Sequence, residues 1–454
     1  MTPSRFELTR IPIVKKALTS RWIPWLLMVI TLPVFLLAIL AGLFGTPAGN
    51  RNFGIVFVWI VWWALLILLL LPFAGRLWCA ICPIPAPGEW LQRRAMIQPR
   101  RGGKLFTRGL AWPKRFNNIW LQNAGFLVVA LFSAVILTTP MVSAVVLALF
   151  ALTAVASSLL FARRTFCRYL CPVGGFIGLY SQVAPLEVRV KDAAVCVAHP
   201  QKDCYTGNDA GYGCPWMVFP AALSKNTYCG MCMECLKTCP MDNMGVFIRP
   251  FGADLMSARG RRLDEAYKSF IMLTCALAYS AVLTGPWAVL KGTARAVGTP
   301  AWWLYAALFL AANLILVPGV FYVCSILAKR LAHSTIPVRR LFVDYAYALT
   351  PLGLAAWAAF TLSFAPVNLS YAWQVLSDPF GWGWNLLGTA QWTWTPYLTS
   401  AAPYLQVPVL LVGLVAAIGI ALRTARERGA PAYAGLPVAG FCTAFVAALL
   451  WLFV

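Results

Sequence analysis

Apolar residues run in long blocks along most of this chain, and polar residues gather in the gaps between them. A block of about 20 apolar residues is long enough to cross a bilayer as a helix. Nine such blocks can be read, at about 22–44, 54–73, 119–138, 142–161, 270–290, 302–327, 343–364, 404–422 and 437–454. The pattern predicts an all-α polytopic membrane protein. One long polar stretch interrupts it and divides the chain into an N-terminal membrane region (1–161, four helices), a cysteine-rich insert (162–269) and a C-terminal membrane region (270–454, five helices). The first block follows a basic tail, as a signal peptide would. It is too long for a signal h-region and lacks a small-residue cleavage site, so it reads as an anchor.

Composition agrees. The 454 residues are 61% hydrophobic and 11% charged, beyond the apolar share of soluble domains. The net charge of +23 has a topological cause, because basic residues collect in cytoplasmic loops. One set of loops carries Arg5, Arg10, Lys15, Lys16 and Arg21, then Arg76, Arg93, Arg94, Arg100, Arg101, Lys104, Arg108, Lys114 and Arg115, then Lys329, Arg330, Arg339 and Arg340, then Arg423, Arg426 and Arg428. The opposite loops hold Arg51, Lys291 and Arg295. This bias predicts a multi-pass protein of a bacterial-type inner membrane, with the N-terminus and the insert cytoplasmic and the C-terminus outside. No aromatic-studded basic patch of the kind that binds single strands is present, so nucleic acid is not an expected partner.

The outer segment 365–403 lacks Lys and Arg and holds Trp373, Trp382, Trp384, Trp392 and Trp394. It reads as an interfacial aromatic belt or as a docking surface for an outer partner. The expected spans are almost free of ionisable groups, with Asp344 at the edge of one, which argues against a proton pump or ion channel. Only His199 and His333 occur. Neither lies in an expected span, so a bis-histidine haem b core is excluded.

The fourteen cysteines change the picture most. Cys275, Cys324 and Cys442 stand alone in apolar helices and read as small packing residues. The rest fall in tight groups. "CGMCMECLKTCP" (229–240) has the spacing with which ferredoxins wrap a cubane, three cysteines on one cluster and the cysteine before proline crossing to a second. By that rule Cys229, Cys232 and Cys235 share a cluster with Cys214, and Cys239 joins Cys196 and Cys204 on another. The earlier half, "CVAHPQKDCYTGNDAGYGCP", leaves that second cluster one cysteine short. His199 is either its remaining ligand or an ordinary loop residue beside a three-iron or otherwise ligated centre.

"WCAICP" (Cys79, Cys82) follows the second block and "CRYLCP" (Cys167, Cys171) the fourth. Both blocks run inward, so the pairs emerge on one face. They form a third metal centre, a redox or copper-handling dithiol site, or structural packing. The stretch 171–188 is apolar enough to lie along the membrane, and Tyr180, Gln182 and Glu187 offer hydrogen bonds to a quinone there or belong to an interfacial helix. Lys225, Lys237, Arg249 and the arginines at 259–262 either steer an acidic partner or serve topology.

CxxxCP-type motifs at membrane-helix ends, followed by a double-cluster segment, resemble the NapH/NosR/MauN group of membrane iron–sulfur proteins. The matching residues are Cys79, Cys82, Cys167, Cys171 and the insert up to Cys239-Pro240, within about 55–250. The first pair departs as CxxCP, and the chain enters its first span without a flavin-binding domain of the NosR kind. The resemblance implies a small α+β ferredoxin-like insert with two [4Fe-4S] clusters. It also implies electron exchange between the quinone pool and a redox partner protein. The alternative is a factor that reduces or passes copper or iron while another enzyme matures.

Overall fold

A computed structural model describes residues 5–98, 105–284 and 288–453; Arg100, Arg101 and Lys104 lie outside the described residues. The chain is an all-α polytopic membrane protein with a small insert. Among the described residues, eight helices are long and apolar enough to cross a membrane: α1 Trp22–Phe44, α2 Phe53–Ala74, α4 Pro140–Leu160, α5 Leu263–Leu283, α6 Pro300–Leu331, α7 Val338–Asn368, α8 Ala402–Glu427 and α9 Ala432–Phe453. The expected block at 119–138 is a shorter apolar helix, α3 Trp120–Leu131. At Phe132 the backbone leaves helical geometry (ψ 8°), and a single turn, Ser133–Ile136, follows.

The chain forms two compact units. The first comprises residues 1–36, 70–122 and 147–254, and the second 37–69, 123–146 and 255–454. The second unit is helical and centred on the fully buried Trp357. Its ring meets Trp63, Phe126, Tyr279 and Phe360 edge-on, and its indole N–H donates to the Met272 carbonyl at 3.0 Å. Helix α5 begins before the expected 270 and carries Asp264, Glu265 and Lys268, all buried. Asp344, 0% exposed, is held by Arg428 at 2.6 Å and Arg340 at 3.3 Å. The expectation of nearly charge-free spans therefore fails for α5, where helix rather than loop continues through a charged turn.

The first unit contains a three-stranded antiparallel sheet in the order β1 (Phe6–Glu7), β3 (Met244–Ile248), β2 (Leu186–Val190). Strand β2 reads Leu-Glu-Val-Arg-Val, and the period of two sends apolar and charged residues to opposite faces. Val188, Met244 and Val246 pack with Met231 and Met233, and Cys229, Cys235 and Cys239 lie against that cluster. The sheet is thus the floor under the cysteine loops. Its other face holds Glu187 at 0% exposure, in ion pairs with Arg5, Arg189 and Arg249.

Candidate metal centres

All eleven grouped cysteines lie in the first unit. None is in a disulfide. The Cys79–Cys82 pair sits on a short turn of helix, Trp78–Ile81, stopped by Pro83. Cys171 caps the helix Pro172–Tyr180, and its sulfur accepts from the Gly174 N–H at 3.2 Å. The two pairs meet: Cys79, Cys82, Cys167 and Cys171 lie within electrostatic reach of one another.

A second cavity is lined by Cys214, Cys229, Cys232 and Cys235, together with Trp216, Met231 and Met233. Met231 and Met233 adopt left-handed φ of 49° and 60°. This bends the loop so that backbone N–H groups of Met231 and Glu234 point at Cys229 and Cys232. A third cavity is lined by Cys196, His199, Cys204 and Cys239. Asn243 ties it together. Its backbone N–H donates to the Cys239 sulfur at 3.3 Å and its side chain to the Cys196 sulfur at 3.2 Å. His199 also faces Asp203, with Nε2 3.5 Å from the carboxylate.

Burial pushes these thiols up: Cys171 and Cys204 to about 11, Cys232 to about 12, and Cys82, Cys167, Cys229 and Cys235 also upward. Buried thiolates clustered in this way repel, and a bound cation relieves the repulsion by displacing their protons. Among the described residues, no three His, Cys, Asp or Glu side chains are drawn close enough to hold a single metal ion. A cubane keeps its four thiolates on separate corners, wider apart than one ion does. Grouped soft donors with N–H groups aimed at several of the sulfurs fit an iron–sulfur centre.

Three arginines that the sequence did not single out, Arg163, Arg164 and Arg168, hold this arrangement. Arg164 is 6% exposed. It grips Glu89 in a two-point contact of 2.7 and 2.6 Å and donates to the Cys79 carbonyl at 2.7 Å. Burial pushes the Glu89 carboxyl up, but Arg164 and Arg93 outweigh it and hold the group at about 2. Arg163 donates to the Cys214 carbonyl at 2.8 Å, and Arg168 to the carbonyls of Trp216 and Met217. The signal was available: "RLWCAICP" and "RRTFCRYLCP" place arginine within three residues of each pair.

Two expectations change. Arg249 is buried and Lys237 partly buried, each taken up in an ion pair, with Glu187 and with Glu234, and Arg261 is 5% exposed. Tyr180, Gln182 and Glu187 are each 0% exposed, and the Glu187 carboxylate is already taken up by three arginines.

Residues 55–104 and 143–189 match the 4Fe-4S binding domain family. One matched segment contains Cys79 and Cys82, the other Cys167 and Cys171; neither reaches Cys196–Cys239. The match supports 4Fe-4S binding by this chain. YccM of Escherichia coli (strain K12), a protein named for electron transport, is 30% identical over 95 residues. That stretch is 20% of this chain and 24% of the relative's length, so the chain matches about a quarter of that protein. No solved structure matches.

Proposed function

We propose that the chain is a membrane electron carrier with three iron–sulfur centres in series. Cys79, Cys82, Cys167 and Cys171 hold the centre nearest the membrane helices. Cys214, Cys229, Cys232 and Cys235 hold the middle one. Cys196, Cys204 and Cys239, with His199 as the remaining donor, hold the third. The observation that carries this reading is the arrangement of the cysteines as three groups in one compact unit, the middle group within electrostatic reach of Cys204. The name of YccM and the resemblance to NapH, NosR and MauN point the same way. The clusters supply one-electron chemistry; the protein spaces them, shields them from water and sets their potentials through N–H···S bonds and fixed charges.

The proposed electron source is quinol in the bilayer, feeding the membrane-side quartet, and the acceptor is a redox partner protein on the cytoplasmic side. The loop-charge bias supports that orientation. The test is anaerobic reduction of the full-length protein in membrane vesicles with a quinol. The account expects the iron–sulfur signals to be reduced, the Cys232→Ser variant to lose the middle centre and keep the membrane-side one, and a reporter fused after Gly260 to read cytoplasmic. Zinc without sulfide, or bound copper at the membrane-side quartet, would replace this reading with a metal-handling role.

A further inference from the structure

Two buried guanidiniums occupy the ground between the membrane-side and middle quartets. Arg164 touches the Cys79 carbonyl and is ion-paired with Glu89, while its charge also bears on Cys167 and Cys232. Arg76 is different. It lies on the turn after α2, 3% exposed. Its Nη2 donates at 2.9 Å to the Gly174 carbonyl, three residues past Cys171. Its Nη1 donates to the Thr227 carbonyl, two residues before Cys229. The guanidinium lies 4.2 Å from the ring centre of Trp216, two residues past Cys214. These partners are two carbonyls and a ring face, and none of them cancels its charge. That charge bears on Cys171 in one quartet and on Cys229 in the other. The helix Pro172–Tyr180 is shaped to admit it: a Cβ on Gly178 would stand 2.7 Å from Nη1 and 3.0 Å from the Thr227 carbonyl oxygen.

We propose that Arg76 is a positioning residue shared by two iron–sulfur centres, a fixed positive charge that raises the reduction potential of both and keeps them matched for direct electron exchange. The inference rests on the relay reading above. Adding an electron makes a thiolate-ligated cluster more negative, and an adjacent buried cation favours that form. In the exchange, one electron leaves the centre of the membrane-side quartet, which is oxidised, and arrives at the centre of the middle quartet, which is reduced. No bond or proton moves. The cation stays beside the travelling charge on both sides of the step. The third group, Cys196, Cys204 and Cys239, does not touch Arg76 and serves as an internal control.

The test is a potentiometric titration of the purified full-length protein followed by low-temperature EPR. Arg76→Gln should shift the reduction equilibrium of the membrane-side and middle centres about tenfold toward the oxidised form, about 59 mV for one electron, and leave the third unmoved. Arg76→Lys, which keeps the charge, should hold both near their native potentials. A shift in only one centre, in neither, or in all three equally overturns the proposal. So does a Lys variant that moves both as far as Gln does. Should Arg76→Gln lose its iron, Arg76→Lys decides alone: native potentials at both quartets uphold the proposal and any other result overturns it. A wild-type protein without three distinguishable centres sinks the relay reading before any variant is made.

Discussion

At the scale of single residues, cysteines were legible and arginines were not. A cubane requires thiolates at short, repeated spacings, so "CGMCMECLKTCP" declares itself in one line of sequence. A guanidinium has no such spacing. Arg76 meets Thr227 across 151 positions, and Arg164 meets Glu89 across 75. Until those partners are known, an arginine beside a membrane helix reads as a topology charge. Glu89 shows what such a contact is worth. Its carboxylate is 2% exposed and two arginines hold it. Removing one partner of a buried pair leaves the other charged and alone, at a cost of roughly 3–5 kcal/mol. Glu89→Ala should therefore lower the unfolding temperature markedly, and Glu89→Ala combined with Arg164→Met should recover much of the loss. The sign of the pH effect follows from the depressed pKa: the pair stabilises fully above the ordinary carboxylate range and loses its contribution as pH falls through about 2. Thermal melts that vary with Glu89 identity near pH 6 but show no double-variant recovery would contradict the pairing.

At the scale of elements, small residues decide how closely the loops approach. The loop holding Cys229 and Cys232 lies flat on the Trp216 indole, and a Cβ on Gly230 would collide with the ring at Nε1. Trp216 is 1% exposed and cannot swing aside without opening the cavity it lines. Gly230→Ala should deplete iron at the middle quartet alone, and Trp216→Leu in the same chain should restore part of it by giving the methyl group room. Equal iron in Gly230→Ala and wild type, by chemical analysis and EPR, would show that the approach does not matter. Apolar periodicity revealed the membrane helices well, since a bilayer demands length and little else. It did not reveal the break at Phe132, because the residues on both sides are as apolar as a continuous span. Nor did it reveal that α5 starts at Leu263, because charged residues paired or buried in a helix look the same in sequence as a polar loop.

At the scale of the whole molecule, chain segments distant in sequence converge on one compact unit. The N-terminal tail supplies β1, the turn after α2 supplies Cys79 and Cys82, the stretch after α4 supplies Cys167 and Cys171, and the insert supplies the rest. Matched family segments cover only the membrane-side pairs, whereas the ferredoxin spacing covers only the insert. The account joins them, and its central claim is that the four membrane-side cysteines hold one iron–sulfur centre together. Iron and sulfide analysis with low-temperature EPR, on anaerobically purified wild type and on Cys79→Ser and Cys167→Ser, tests that claim. Wild type should carry about twelve iron and about as much sulfide, as three cubanes require. Each variant should lose about a third of both, and the two should lose the same spectral feature. Full iron content and an unchanged spectrum in both variants would contradict it.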